Sequence, residues 1–155
     1  MLPGTRYRAS VLIRTFEETD RAAVVALWHR VGLTRPWNDP DRDIDRKVAD
    51  SPWGLLVAED GVRVIATAMV GYDGHRGTVN YLAVDPAWRG RGIGGALMDH
   101  AEALLRARGC PKINLQVRGD NSEVIAFYEH RGYVLEPPVH AVNLGLRLVE
   151  DGPHS

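Results

Sequence analysis

The chain has 155 residues, a length that suits a single domain and allows a core to form without disulfides or metals. Its 19 basic and 20 acidic side chains nearly balance, which argues against nucleic acid and anionic membranes as partners. The single cysteine, Cys110, excludes an internal disulfide. Because the sequence lacks a long apolar run and residues 1–10 lack the apolar core of a signal peptide, we expect a cytoplasmic protein.

The expected organisation is one domain over residues 11–150, with a loose extension at 1–10 and a tail at 151–155. A short first strand is predicted at Val11–Arg14. The amphipathic helix that follows is capped by Thr19 or Asp20 and ends near Gly32. Its apolar residues, spaced to face a core, are Val24, Leu27, Trp28 and Val31.

A shaped loop and a second helix precede a β-hairpin. The loop spans Thr34–Pro40 and the helix Pro40–Ala49, whose early acids Asp41, Asp43 and Asp45 are interpreted as complementing the helix dipole. Asp60-Gly61 is the strongest hairpin signal in the chain, because an Asp-Gly pair favours a tight turn. The antiparallel strands that it predicts are 54–59 and 62–70.

The second half alternates strands and helices. A central strand at Thr78–Val84 leads into a helix that ends near Gly109, and its apolar face is Ile93, Leu97, Ala101, Leu104 and Leu105. Lys112–Val117 is predicted as a strand parallel to the central one, since a helix crosses between them. A helix capped by Asp120 or Asn121 then ends at Gly132. The last strands, expected to form a hairpin, are Tyr133–Leu135 and Ala141–Val149.

The segment Tyr81–Met98 has the pattern of a buried strand, a turn and the start of a helix. It contains four glycines within six residues, at Gly90, Gly92, Gly94 and Gly95. Without Cβ atoms the backbone can approach a ligand closely, and the unpaired N–H groups of a helix start attract anions. The segment therefore predicts an anion site, most simply for phosphate.

A dinucleotide-binding interpretation of the same glycines is the alternative. Gly90, Gly92 and Gly95 satisfy the Gly-x-Gly-x-x-Gly pattern, and Asp120 follows the next strand where a ribose-binding acid belongs. Against it, a dinucleotide fold normally begins with this unit. Here the unit lies mid-chain, with too little sequence after it for the remaining repeats.

Arg89, Gly92 and Gly94, together with Asn121 and the run Ala126–Tyr133, resemble the GCN5-related N-acetyltransferases, the GNAT family. The resemblance extends over roughly residues 11–150. Two loop segments, Arg35–Pro40 and Gly71–Gly77, are similar more narrowly to the YpeA type of bacterial acetyltransferase.

The resemblance implies an α/β fold, with a central mixed sheet that contains a splayed parallel strand pair and is flanked by helices. It also implies acetyl-CoA as co-substrate, with the pyrophosphate on the glycine-loop N–H groups and the pantetheine arm on strand backbone. The cofactor-binding residues that follow are Leu82, Ala83, Val84, Arg89, Gly90, Arg91, Gly92, Ile93, Gly94, Gly95 and Asn121. By the same resemblance Tyr128 is the phenol that protonates or hydrogen-bonds the leaving sulfur, and an N–H near Leu82 or Ala83 stabilises the charge developing on the carbonyl oxygen.

The acceptor is expected to be a primary amine of a small molecule, peptide or protein, which attacks directly in a ternary complex. Acids and aromatics favour such a cation, and the expected acceptor residues are Trp37, Asn38, Asp39, Tyr72, Asp73 and His75. Several family members carry a glutamate where this chain has Thr78, so the base is unassigned, with water held by Asp73, His75 or Asp39 as the proposed route for the proton.

Three function classes are compatible with these patterns. The first is an N-acetyltransferase acting as a monomer or homodimer, the second a non-catalytic acyl-CoA-binding module, and the third a nucleotide-dependent enzyme. Tyr128 favours the first over the second. The histidines and the lone cysteine lack metal-ligand spacing, so no metal is predicted.

Overall fold

A computed structural model describes residues 4–7, 11–136 and 144–151, with only the backbone described at 5–7. The strands are β1 (Thr5–Tyr7), β2 (Val11–Thr15), β3 (Leu55–Glu59), β4 (Val64–Tyr72) and β5 (Gly77–Val84). The α-helices are α1 (Arg21–Arg30), α2 (Pro40–Asp50), α3 (Ile93–Ala107) and α4 (Ser122–His130). Among these helices, none is both long enough and apolar enough to cross a membrane.

The five strands form one sheet in the order β1-β2-β3-β4-β5, and each is antiparallel to its neighbours. The predicted hairpin at Asp60-Gly61 is confirmed. Asp60 Oδ1 accepts hydrogen bonds from the N–H groups of Val62 at 2.8 Å and Arg63 at 2.9 Å, and Gly61 has a φ of +95°. That conformation favours glycine, so the pair sets both the turn and the register that follows.

The strand β1 is a finding that the sequence pattern does not predict. Thr5–Tyr7 pairs with Val11–Ile13, so this part of residues 1–10 belongs to the sheet and is not a loose extension. A three-residue strand is too short to show an alternating pattern, and its existence depends on the edge that β2 offers. The chain therefore enters the sheet one strand earlier than expected.

The helix α1 packs its apolar stripe on the sheet, as its periodicity predicts. Val24, Leu27 and Trp28 are fully buried in one cluster with Leu55 and Val57 of β3. Burying each such side chain stabilises the fold by about 1.5–3 kcal/mol. The stripe thus fixes α1 against the sheet.

The predicted apolar face of α3 is confirmed, since all five of its residues are buried: Ile93, Leu97, Ala101, Leu104 and Leu105. The helix lies so close to β5 that a Cβ on Gly77 would be 2.9 Å from Leu105 Cδ1 and 3.0 Å from Cys110 Sγ. A side chain at this position would have to displace Leu105 and Cys110. Cys110 is therefore a packing residue beside the sheet.

The predicted α/β class is confirmed, but the strand Lys112–Val117 is not. Ile113 forms a single parallel bridge to Gly77, whose N–H donates to Lys112 O at 2.8 Å and whose carbonyl accepts from Asn114 N–H at 2.9 Å. The direction is thus parallel as predicted, while residues 115–117 form no strand and the described sheet is antiparallel. The local apolar pattern indicates a strand but contains no information about its partner.

The last predicted hairpin is wrong where it is described. Residues 133–135 and 144–149 form no strands, and residues 137–143 lie outside the described residues. The contacts divide the chain into two compact units, one comprising residues 1–114 with 151–155 and the other Leu115–Glu150. A single domain over 11–150 stays a prediction.

Candidate active site

The loop between β5 and α3 begins with a capped turn. Asp85 Oδ1 accepts from Ala87 N–H at 2.9 Å, and its Oδ2 accepts from Arg30 Nη2 at 2.8 Å. The next glycines, Gly90 and Gly92, have φ values of +75° and +78°, which non-glycine residues rarely adopt. A Cβ on Gly90 would meet no heavy atom within 4 Å, so conformation, not space, requires glycine there.

The helix α3 starts immediately after this loop without a side-chain cap. Its N-cap is Gly92, whose carbonyl accepts from Ala96 N–H at 3.0 Å. The preceding N–H groups, those of Ile93, Gly94 and Gly95, have no acceptor inside a helix that begins here. Together with the positive end of the helix dipole they form a backbone surface suited to an anion. The predicted strand, loop and helix are confirmed as structure.

Two arginines flank this surface, and both are exposed. The guanidinium carbon of Arg91 lies 4.7 Å from the ring centroid of Trp88, within the range of a cation–π contact. Arg89 lies between the 3₁₀ turn Pro86–Trp88 and Gly90 in extended conformation. The loop therefore adds positive charge to the anion surface.

The strand β5 carries a bulge just before this loop. Thr67 pairs with Ala83 and Met69 with Asn80, so Tyr81 and Leu82 on β5 lie opposite the single residue Ala68 on β4. Tyr81 has a φ of +49°, in the left-handed region that a bulky residue rarely occupies. Such a conformation costs about 1–3 kcal/mol and is typical of functional sites.

The Tyr81 side chain is held at both ends. Its ring stacks on Trp28 with centroids 3.9 Å apart and an interplanar angle of 16°. Its hydroxyl donates to Asp43 Oδ2 at 2.6 Å. Burial of the phenol, together with this carboxylate, raises the pKa of Tyr81, so the group stays protonated as a donor.

Beside the bulge lies a cleft of about 580 Å³, which we call the α2 cleft. It is lined by residues of α2, the α1–α2 loop, β4 and β5, namely Leu33, Asn38, Asp43, Arg46, Lys47, Asp50, Met69, Asn80 and Tyr81. Two acids and two bases of α2 therefore face the cleft. Their charges decide what the cleft attracts.

Both bases are already engaged within the protein. Arg46 forms a bidentate pair with Asp151, at 2.6 Å and 3.1 Å, and its guanidinium is 3.5 Å from Asp43. Lys47 Nζ donates to Ser51 Oγ at 2.8 Å and to the carbonyl of Val70, and burial lowers its pKa. The hydrogen bonds of Arg46 and Lys47 thus stabilise the wall of the cleft.

The side chain of Asp151 is almost wholly buried against α2, with 2 % of its surface exposed. Besides Arg46, it accepts from the N–H of Asp39 at 3.3 Å and lies 3.7 Å from Arg42. The hydrogen bonds from Arg46 lower the pKa of Asp151 to about 2. Asp151 thereby offsets the charge of Arg46, so the two carboxylates of the cleft, Asp43 and Asp50, face one remaining base, Lys47.

Comparison with known proteins decides the family. The model of the acetyltransferase (GNAT) family matches residues 17–133, three quarters of the chain. The chain belongs to the GNAT acetyltransferase family. Family membership replaces the dinucleotide interpretation of the glycine loop and makes this chain an acetyl-CoA-dependent acetyltransferase.

Individual relatives agree with this assignment. An acetyltransferase of Sodalis glossinidius (strain morsitans) is 52 % identical over 139 residues, which are 90 % of this chain and 96 % of that protein. The solved structure of Ard1 from Thermoplasma volcanium has a TM-score of 0.73 at 27 % identity and covers 83 % of this chain and 85 % of that one. A structure of the NatC complex bound to Gag peptide and CoA has a TM-score of 0.71 at 22 % identity, covering 81 % and 85 %.

Of the acceptor residues expected in this GNAT protein, Asn38 lines the α2 cleft. Trp37 beside it is 52 % exposed. Asp39 is buried and caps α2, because its Oδ1 accepts from the N–H groups of Asp41 at 3.0 Å and Arg42 at 3.4 Å. The structure thus gives Asp39 a role in building the helix that carries the cleft.

The other expected acceptor residues lie at the end of β4 or in the β4–β5 turn of the acetyltransferase, and not in the lining of the cleft. Asp73 Oδ1 accepts from the N–H groups of Arg76 and His75, both at 2.7 Å, and these bonds lower its pKa. Tyr72 donates its hydroxyl to Gly74 O at 3.2 Å. Asp73 therefore shapes the turn, and an acceptor role for this group stays a prediction.

Sequence reasoning missed the acid that faces the cleft. The sequence pattern assigns Asp43 to helix electrostatics, yet its carboxylate accepts the hydroxyl of Tyr81. The available signal is periodicity, because Asp43, Lys47 and Asp50 follow one another at helical spacing and so share a face of α2. That face becomes informative only once β5 is known to lie beside it.

The second unit of the GNAT chain carries Asn121 and Tyr128. Asn121 caps α4, since its Oδ1 accepts from Val124 N–H at 3.3 Å, as predicted. Tyr128 is buried and packs edge-on against Phe127 and Tyr133, with ring centroids 5.1 Å and 5.4 Å apart. Burial raises the pKa of Tyr128, opposed by the charge of Arg131, so its phenol is a proton donor at neutral pH.

The part of the chain that the structure describes contains no group of three or more His, Cys, Asp or Glu side chains placed to hold a metal ion.

Proposed function

We propose that this enzyme transfers the acetyl group of acetyl-CoA to a primary amine by direct attack in a ternary complex. The proposal rests on two backbone features, a strand bulge and an anion-binding loop, that follow one another on one short segment. The bulge at Tyr81–Leu82 and the anion surface at Gly90–Gly95 are separated only by Ala83–Arg89. A ligand with a thioester at one end and a pyrophosphate further along fits that order.

Acetyl-CoA would supply an activated thioester, and the chain would supply its binding surface. The N–H groups of the loop from Arg89 to Gly95 suit the pyrophosphate. The backbone of Leu82–Val84 suits the amides of the pantetheine arm, as in the addition of a strand to a sheet edge. The NatC neighbour, which contains CoA, supports this choice of ligand.

The acceptor amine is proposed to enter the α2 cleft. Its volume admits a small amine or one amino-acid side chain or terminus. Because Asp151 offsets the charge of Arg46, the two carboxylates of Asp43 and Asp50 outnumber the one remaining base, Lys47, so the cleft favours a cation. A primary ammonium group has the positive charge that such a cleft attracts.

The reaction forms a bond between the amine nitrogen and the acetyl carbon while the carbon–sulfur bond breaks. The ammonium group first loses one proton to become a neutral nucleophile, the nitrogen loses a second as the amide forms, and the sulfur gains one, so each transfer releases one proton. We propose that Tyr128 donates to the sulfur, since its raised pKa keeps it protonated. Thr78 has no basic group, so the amine proton is proposed to leave through water.

A ligand panel tests the proposal. Acetyl-CoA and CoA should both raise the melting temperature, whereas NAD and ATP should not, because a ligand at 100 times its dissociation constant adds about 2.7 kcal/mol. Release of free thiol is then measured with small amines, lysine peptides and free peptide N-termini. Stabilisation by NAD without CoA would refute the proposal, and CoA binding without thiol release on any amine would favour the non-catalytic module.

A further inference from the structure

Thr67 is a polar side chain in the middle of β4 with none of its surface exposed. Its Oγ1 accepts a hydrogen bond from Trp28 Nε1 at 2.9 Å and donates one to the carbonyl of Tyr81 at 2.8 Å. The indole can only donate, so the hydrogen of the hydroxyl is left for Tyr81. The direction of this second bond is therefore fixed by the first.

Trp28 also holds Tyr81 through its ring. The ring stacks on Trp28 while the main-chain carbonyl is bound to Thr67. This clamp acts at the bulge, where the ladder between β4 and β5 loses its regular pairing. The contacts with Trp28 and Thr67 hold Tyr81 in its positive-φ conformation.

Peptide geometry transmits this restraint to the next residue. In a trans peptide the carbonyl and the following N–H are coplanar and point in opposite directions. Because the Tyr81 carbonyl points at Thr67, the Leu82 N–H points away from Thr67. Without the hydroxyl, the peptide between Tyr81 and Leu82 would lose the hydrogen bond that fixes the direction of its carbonyl.

We propose that Thr67, oriented by Trp28, is a positioning residue that aims the Leu82 N–H at the carbonyl oxygen of the acetyl group. This inference rests on the proposed function, in which that oxygen gains negative charge as the amine attacks. A donor held in place beforehand stabilises such charge more than one that must reorganise. The hydroxyl therefore acts on turnover and not on CoA affinity.

Thr67→Val and Thr67→Ser separate this role from packing. Valine keeps the branched shape and removes the hydroxyl, whereas serine keeps the hydroxyl and removes a methyl group. We expect Thr67→Val to lower kcat by about tenfold or more, with the Kd for CoA within about threefold of wild type, because a misdirected donor costs turnover. Thr67→Ser should retain kcat to within about threefold, as the hydroxyl remains.

A spectroscopic measurement makes the test independent of turnover. The ¹⁵N–¹H resonance of Leu82 should respond differently to acetyl-CoA and to CoA in wild type and in Thr67→Ser, and this difference should vanish in Thr67→Val. If wild type shows no thiol release on any amine, the proposed function fails, and this resonance still decides whether Thr67 aims the N–H.

Two outcomes would overturn the inference. One is a folded Thr67→Val variant with wild-type kcat, and the other is equal loss of kcat in both Thr67 variants, which would indicate packing. Should Thr67→Val not fold, Trp28→Phe decides, since phenylalanine retains an aromatic ring and removes the N–H that orients Thr67. An unchanged kcat there contradicts the inference, and a loss of about threefold to tenfold supports it.

Discussion

The glycine loop and the α2 cleft both adjoin β5, yet they are built in opposite ways. The loop acts through main-chain N–H groups, which seven consecutive residues from Arg89 to Gly95 place at the start of α3. The cleft acts through side chains of α2, β4 and β5. Arg46 in its wall is paired with Asp151, which accepts from the backbone N–H of a residue 112 positions earlier.

This difference explains which part of the site a sequence can reveal. A backbone site needs only local conformation, and glycines at the turn indicate it directly. A side-chain site needs residues brought together by the fold, and the identity of each residue has several explanations. The contrast also makes a prediction, because the two regions should respond to substitution in different kinetic parameters.

The largest expected effect belongs to a side chain. Tyr128→Phe should lower kcat by roughly 100-fold, the usual range for the loss of a general acid, while the Kd for CoA changes little. The ring and its edge-on packing against Phe127 and Tyr133 are retained, so the melting temperature should change little as well. Steady-state kinetics with thermal unfolding measures both, and a loss of stability at unchanged kcat would show that Tyr128 is only a core residue.

Asp43→Asn tests whether the α2 cleft binds the acceptor. Removing the carboxylate should raise KM for a cationic acceptor by about tenfold, since a hydrogen bond to a charged group is worth about 1.5–3 kcal/mol, and leave CoA affinity unchanged. Asparagine can still accept the hydroxyl of Tyr81.

Asp45→Asn is the matched control for this change. It alters the same charge on the same helix, but Asp45 is 65 % exposed and pairs with Arg21. Equal KM values for the two variants would place the acceptor outside the α2 cleft. Asp73→Ala examines the earlier expectation in the same assay, because an acceptor near the β4–β5 turn would respond to that variant instead.

Much of the fold follows from local patterns. The stripe on α1, the face of α3 and the Asp60-Gly61 turn are each encoded within a few residues, and the structure contains all three. The strand β1 and the segment 112–117 are the counterexamples. Pairing depends on which edge is free, and neither the brevity of β1 nor the apolar alternation of 112–117 contains that information.

The same limit applies to the candidate site. The glycine loop could be predicted because its conformation is encoded in its own residues. Asp43 could not be distinguished from an ordinary acid in a first helical turn, since its partner Tyr81 is 38 positions away. Thr67 looks like one polar residue in an apolar strand until its contacts with Trp28 and Tyr81 are seen.

Gly90→Ala tests the backbone region against a closely matched control. Gly90 and Gly32 have φ values of +75° and +74°, and a Cβ at either position would meet nothing within 4 Å. Alanine should therefore cost similar stability at both, about 1–2 kcal/mol. Only Gly90→Ala should weaken CoA binding, by roughly fivefold to tenfold, because the N–H groups of the loop shift. Equal CoA affinity in both variants would separate the loop from the cofactor.

The smallest expected effect concerns Asp151, the ion-pair partner of Arg46. The pKa of Asp151 is about 2 in the folded chain, below its usual value near 3.9, because Arg46 donates to it. The folded state therefore binds this proton less readily than the unfolded state. The stabilisation by Asp151 is present above about pH 4 and is lost as the pH falls toward 2.

Asp151→Asn isolates that contribution from the other carboxylates. Wild type should melt above the variant at pH 6, and the gap should narrow as the pH falls through 2, where Asp151 becomes protonated in the folded state. Because Arg46 then keeps only its contact with Asp43, the variant should also bind a cationic acceptor less tightly at neutral pH, as the guanidinium offsets the charge of Asp43 in the cleft. A gap in melting temperature that does not depend on pH would show that Asp151 acts by packing alone.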